Sequence, residues 1–239
     1  MYFMSQNKQE KIKEIHKLLA ASIRIPHSYL RRSRGFISEL RFKQKCQKDK
    51  MNHIDGGWIL FKGGRLAEEK QAVYVTVTFD SFDKYSEFYE KFSKCPLVKR
   101  LFFLKIEPED KWKKIKIKAN HQPELEIPEP SFEVYEFTNK KFNKTKLSEF
   151  IDFFPKIRNP LFYRIDTKDI SLLNYLEEFS EEELTSLYCT RFIVDCMFKG
   201  RDVGYGMDFD GIINEEGKYF VVETKEKDPG PKDKKNIQQ

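Results

Sequence analysis

The apolar period of the chain changes abruptly near residue 80, and that change limits the possible folds more than any other feature. Val73, Val75, Val77 and Phe79 alternate, which is the period of a half-buried strand. Directly after them Phe82, Tyr85, Phe88, Tyr89 and Phe92 recur at helical spacing, which predicts a helix over 81–93. A strand that runs straight into an amphipathic helix excludes all-α and all-β architectures. The mixture continues along the chain. Ile12, Ile15, Leu18, Leu19 and Ile23 predict a helix over 7–23 that Pro26 stops. Strands are expected over 58–62, between turns at Gly56-Gly57 and Gly63-Gly64, and over 101–106, 114–118 and 132–137. The three prolines of 120–130 read as a loop. Helical patterns return at 146–154 and 170–179 around a short strand at 161–165, and Ser180 with Glu183 forms a capping box for a helix over 181–198. The expected class is α/β locally and α+β overall, with an N-terminal α+β region over 1–165 and a second unit over 166–239.

Composition narrows the function classes. Of 239 residues 39% are apolar and 15% aromatic, enough for a core, so a wholly disordered chain is excluded. No apolar run approaches the roughly 18 residues of a membrane span, and residues 1–14 turn polar too early for a secretory signal. Cysteines at 46, 95, 189 and 196 have neither metal spacing nor the density of a disulfide scaffold, and histidines at 16, 27, 53 and 121 are scattered. A cytoplasmic, reduced protein without membrane attachment is expected. The net charge of +6 suits a polyanionic partner. Lysines outnumber arginines 33 to 11 in a chain rich in Phe and Ile, and A+T-rich coding alone produces that bias, so the charge is only a hint.

Residues 206–225 carry the chemistry. They read as two strands, 206–213 and 218–225, joined by a turn over 214–217. A four-residue loop pairs Ile213 with Lys218, Asp210 with Val221 and Asp208 with Glu223. One face then holds Asp208, Asp210, Glu223 and Lys225, and the other holds Met207, Phe209, Ile213, Phe220 and Val222 as core. Adjacent carboxylates repel one another, and a hard divalent cation relieves the repulsion; carboxylate oxygens and water are the ligands Mg²⁺ prefers. A cation so held activates water and neutralises charge on a phosphate, and a lysine beside it orients the water. The pattern acid-x-Lys alone is weak, since it starts six times, at Glu68, Glu109, Asp166, Glu216, Glu223 and Asp233. Only at Glu223 does it end an apolar strand that follows an Asp-bearing strand across a turn. The competing reading is an exposed acidic hairpin with a Glu223–Lys225 salt bridge.

Asp210-Gly-Ile-Ile, thirteen residues ahead of Glu223-Thr-Lys225, resembles the split motif of the PD-(D/E)xK nuclease superfamily, which includes most type II restriction endonucleases. The resemblance covers about residues 181–228. It implies a restriction-endonuclease-like core, a mixed sheet flanked by helices, in the C-terminal unit. It also implies catalytic roles for Asp210, Glu223 and Lys225. Mg²⁺, with Mn²⁺ as substitute, would be held by Asp210, Glu223 and the Thr224 carbonyl, with Asp208 as a further ligand or a group behind them. Phe209 replaces the proline of the motif's name. Such nucleases often add an acid from a neighbouring helix, for which Glu182, Glu183 and Asp195 are the candidates; charge at a helix N-terminus is the plainer role for Glu181–Glu183. Family cores continue past the lysine with a helix and a strand, whereas 14 residues follow Lys225 here, so a core incomplete at its C-terminus is expected.

The implied activity is Mg²⁺-dependent hydrolysis of double-stranded DNA by a type II restriction endonuclease, with residues 1–165 serving target recognition and a homodimer compatible with that role. A nuclease guided by DNA structure in repair, recombination or phage DNA processing is the alternative. A nucleic-acid-binding protein with an inactive nuclease-like fold is a third, opposed by the intact Asp210, Glu223 and Lys225 set. Backbone contacts are expected from Arg31, Arg32 and Arg34 in the basic run 31–50, and from Lys113, Lys114 and Lys116. For each of these cations a solvated face is an equal reading.

Overall fold

The computed structural model describes residues 6–22, 26–63, 71–118, 124–162 and 175–224. Helices α1 (Gln6–Ser22) and α2 (Pro26–Lys48) open it. Pro26, the expected stop, also starts the next helix, because its fixed φ suits a first helical residue and its missing N–H is one that a first turn leaves unpaired. Strands β1 (His53–Lys62) and β2 (Gln71–Thr78) follow, then a 3₁₀ turn (Phe82–Tyr85) leading into α3 (Ser86–Phe92) and β3 (Val98–Ile106). The ribbon β4 (Lys113–Ile117) and β5 (Leu125–Glu129) precedes β6 (Phe132–Thr138), β7 (Lys141–Thr145) and α4 (Leu147–Ile151). Helix α5 (Glu181–Phe192) begins at the expected Ser180–Glu183 capping box and ends in a π turn (Ile193–Met197). The hairpin β8 (Val203–Glu215) and β9 (Lys218–Val222) closes the described chain.

The fold is α+β: a mixed sheet of seven strands, ordered β7-β6-β3-β2-β1-β8-β9, flanked by helices. Strands β2 and β3 are parallel and joined through α3; every other neighbouring pair is antiparallel. Strands from either side of residue 165 share this one sheet, since β8 pairs with β1. On one face Tyr74 and Phe103 meet Tyr85, Phe88 and Tyr89 of the α3 segment. On the other, Leu60, Val73, Val75, Phe102 and Leu104 meet α4 and α5 through Phe150, Phe154, Cys189 and Ile193. Outside α5, a third cluster joins α1, α2 and the β4–β5 ribbon through Ile15, Leu18, Leu40, Ile127 and Leu184. Each fully buried aromatic or aliphatic side chain contributes roughly 1.5–3 kcal/mol by its removal from water.

Several expectations are corrected. β2 is buried on both faces, not half-buried: Ala72, Tyr74 and Thr76 are as enclosed as Val73 and Val75. A strand with a parallel neighbour and helices over both faces is enclosed in this way. Gly56 and Gly57 lie within β1 rather than in a turn. A Cβ on Gly56 would stand 1.7 Å from the Phe209 carbonyl oxygen, and one on Gly57 would stand 2.2 Å from that of Val75, so the glycines admit close backbone approach. Residues 125–129 of the expected loop form β5, with Pro128 in a two-stranded ribbon where a missing donor is tolerated. The expected strand at 161–165 and the helix at 170–179 fall largely on residues outside those described; Tyr175–Glu178 form a 3₁₀ turn. Among the described residues no helix is long and apolar enough to cross a membrane, and all four cysteines are free thiols.

Candidate functional site

The β8–β9 hairpin turns on two residues, Glu216 and Gly217, not on the four expected. Both have positive φ (50° and 78°), the conformation whose twist matches that of the strands it joins. The Asn214 side chain accepts the Gly217 N–H at 3.0 Å and secures the turn. The ladder runs from Glu215↔Lys218 to Gly211↔Val222, two residues out of the expected register. A shift of two keeps strand parity near the turn, where the ladder is regular. The paired ladder stops one residue short of Asp210 and Glu223, which the expected register set across from Val221 and Asp208.

Asp210 is buried, and its Oδ2 accepts both the N–H of Thr224 and, at 2.6 Å, the Thr224 hydroxyl. The residue after Glu223 is thereby tied to the first strand. Asp208, an exposed residue whose carboxyl is partly desolvated, lies across the ladder from Trp58 of β1. That desolvation raises its pKa to about 7. Arg191 opposes the rise, and the charges of Glu39, Asp210 and Glu223 add to it. Lys225 and the side chains of Arg31, Arg32 and Arg34 are outside the described residues; the three arginines fall within α2.

The acid that a helix brings to this hairpin is Glu39 of α2, rather than Glu182, Glu183 or Asp195. Its carboxyl is also raised, first by burial, then by Asp210, against the lowering effects of Lys43 and Arg191. One turn on, Lys43 Nζ stands 3.4 Å from Glu39 and 3.1 Å from Asp55 of β1. Asp55 accepts the Thr78 hydroxyl at 2.6 Å, and its N–H donates to the Tyr85 oxygen at 3.1 Å. Burial alone would raise the Asp55 pKa, but Lys43 and the Thr78 hydrogen bond hold it below the ordinary value. Arg191 of α5 is 9% exposed, with its guanidinium 4.8 Å from the Phe36 ring and 5.9 Å from that of Trp58. Its Nε has no hydrogen-bond partner among the described residues. The hairpin acids thus meet one acid and two cations from helices.

Glu183 instead completes the capping box of α5, and Asp195 is buried in the π turn. Lys114 and Lys116 face Glu126 and Glu124 at 3.5 and 3.9 Å across the ribbon, and Lys113 pairs in register with Glu129, so acids offset the charge of that strand. The expected core face of the hairpin is also corrected. Phe209 is buried with Tyr74 and Phe92, but Met207 and Phe220 are 53% and 49% exposed. Ile212 joins Phe209 in the α3-side core, so the alternation slips between them. β9 is the last strand of the sheet, where side chains have a neighbouring strand on one side only. Among the described residues no three His, Cys, Asp or Glu side chains stand close enough together to hold a metal ion.

The raised carboxyl of Asp208 has a measurable consequence. Between the ordinary value of 3.8 and about 7 the folded chain holds a proton that the unfolded chain has released, so this group costs stability as pH rises through that window. In the presence of chelator, Asp208→Asn should raise the melting temperature relative to wild type at pH 8 and leave it nearly unchanged at pH 4. An equal shift at both pH values would show that Asp208 titrates normally. No family model, no curated protein and no solved structure matches this chain.

Proposed function

We propose that the protein is a Mg²⁺-dependent endonuclease that hydrolyses phosphodiester bonds of double-stranded DNA in the cytoplasm, most simply in the manner of a type II restriction endonuclease. The observation that carries this reading is the tie of Thr224 to the Asp210 carboxylate, which holds the end of the second strand, with Glu223, against the first. Beside it lies Asp208, whose carboxyl is pushed up to about 7 by desolvation first and then by the charges of Glu39, Asp210 and Glu223. Such repulsion costs stability, and a bound cation turns it into attraction. The donors are all oxygen, which suits Mg²⁺, and Mg²⁺ is commonly held by one or two carboxylates with water and substrate phosphate completing its shell. Two carboxylates therefore suffice for such a site, although no group of three is assembled among the described residues.

Asp210, Glu223 and the Thr224 carbonyl would hold the ion, with Glu39 and Asp208 behind them. When bound, it supplies water activation and charge neutralisation at the phosphate. The Thr224 donors fix one oxygen of Asp210 and leave the other to bind. Lys225, beyond the described residues, would orient the attacking water. Incubation with supercoiled plasmid tests the reading. Cleavage is expected with Mg²⁺ or Mn²⁺, is expected to stop with EDTA, and should be poor with Ca²⁺. Discrete bands would indicate sequence readout, and a smear a nuclease guided by structure. Robust cleavage in chelator would overturn the metal-dependent reading.

A further inference from the structure

A cavity of about 350 Å³ opens between α2, the end of β2 and the first turns of α5. Lys43, whose ammonium pairs with Glu39 of the acid cluster, forms part of its wall, so the cavity adjoins the hairpin site. Four carboxylates and two lysines line it, a balance that repels phosphate. Three of the four acids are engaged: Asp55 with Lys43, Asp80 with Lys84 at 2.7 Å, and Glu183 in the capping box. Glu182 makes no hydrogen bond or ion pair within the described residues. Ser186 stands one turn further along the same face of α5, Gln47 stands opposite on α2, and Phe79 supplies an apolar wall.

A free carboxylate accepts two parallel N–H groups side by side, and hydroxyl and amide groups beside it donate to acceptors. Among nucleobases guanine carries that complement: N1–H and the N2 amino group adjacent on one edge, and O6 and N7 as acceptors. We propose that this cavity takes a guanine base of the substrate strand, with Glu182 accepting N1–H and N2–H, Ser186 and Gln47 donating to O6 and N7, and Phe79 flanking the ring. A base must leave the stack to enter, so the ligand is an extruded or single-stranded guanine. The proposal rests on the nuclease reading for its choice of ligand, while its test does not depend on cleavage.

The experiment measures fluorescence anisotropy of a labelled eight-nucleotide thymine strand carrying one central guanine, hypoxanthine or thymine, in EDTA. Hypoxanthine keeps N1–H, O6 and N7 and lacks only the amino group. Wild-type protein should bind the guanine strand about tenfold more tightly than either of the others. Glu182→Gln should erase that preference, whereas Glu181→Gln, a neighbouring exposed acid outside the cavity lining, should retain it. Melting curves confirm that both variants fold. Equal affinity for guanine and hypoxanthine, a preference that survives in Glu182→Gln, or no strand binding up to millimolar protein would each overturn the inference. Binding without preference alongside Mg²⁺-dependent plasmid cleavage would sink the guanine site and leave the nuclease; guanine preference without cleavage would do the reverse.

Discussion

Asp210→Ala should reduce plasmid cleavage on the order of a thousandfold, to below detection in an ordinary digest. The substitution removes a carboxylate tied to Thr224, the residue after Glu223, and with it the water activation and charge neutralisation that depend on a bound cation. It also strips the Thr224 N–H and hydroxyl of their acceptor. A buried donor left unpaired costs about 1–3 kcal/mol, so alanine alone would confound chemistry with folding. Asp210→Asn separates the two effects: its side-chain oxygen still accepts from Thr224, while the negative charge is gone. The asparagine variant should melt close to wild type and be equally inactive. Without metal, both variants should bind DNA as tightly as wild type or more so, because a charge that repels phosphate has been removed. Mobility-shift binding in EDTA beside the Mg²⁺ digest makes both measurements. Cleavage by Asp210→Asn at the wild-type rate would end the assignment of Asp210 as a metal ligand.

Asp208, Asp210 and Glu223 were legible as neighbours because a short loop folds the two strands back on each other, and the charges of Asp210 and Glu223 do act on Asp208. The four-residue loop inferred from residues 214–217 and the two-residue loop of Glu216 and Gly217 have the same parity, but the alternation slips between Phe209 and Ile212, so the expected faces hold only in part. Loop length itself was hidden, since Glu-Gly is a weaker signal for this turn than Asn-Gly or Asp-Gly. β7, with Lys141, Asn143 and Lys144 exposed, carries no apolar alternation and could not be read from pattern at all. Gly56 and Gly57 were ambiguous for a physical reason. Glycine serves equally where a chain turns and where two backbones nearly touch, and only the neighbouring strands β2 and β8 decide which applies. Glu39 was hidden by distance: about 170 residues separate it from Asp210, and it sits in a run whose cations dominate the composition. A signal was nevertheless present, because Glu39 and Lys43 lie at i and i+4, the spacing at which a helix pairs opposite charges.

That pair supports the second large effect. Lys43→Met should destabilise the fold by about 3–5 kcal/mol in urea unfolding, the cost of removing one partner from a mostly buried ion pair. The lysine side chain is 14% exposed and serves two carboxylates, Asp55 at 3.1 Å and Glu39 at 3.4 Å. Asp55 is held in place by Thr78, and its backbone by Tyr85, so it cannot swing out to water when the ammonium is lost. Glu39 would then add its uncompensated charge to the repulsion around Asp208 and Asp210. The pH dependence identifies the mechanism. The folded-state pKa of Asp55 is held below its ordinary value of 3.8, so its contribution is present above that value and is lost as pH falls through the folded-state value. The gap between wild type and Lys43→Met should therefore be full at pH 7 and should close as pH falls toward and through the folded-state value of Asp55, which lies below 3.8. Adding Asp55→Asn to Lys43→Met should recover part of the loss at pH 7, because asparagine still accepts from Thr78 and needs no counter-charge. A loss under about 1 kcal/mol, or one that stays constant between pH 7 and pH 3, would show that Lys43 packs beside these acids without neutralising them, and that α2 is held to the sheet by Leu40 and its apolar neighbours instead.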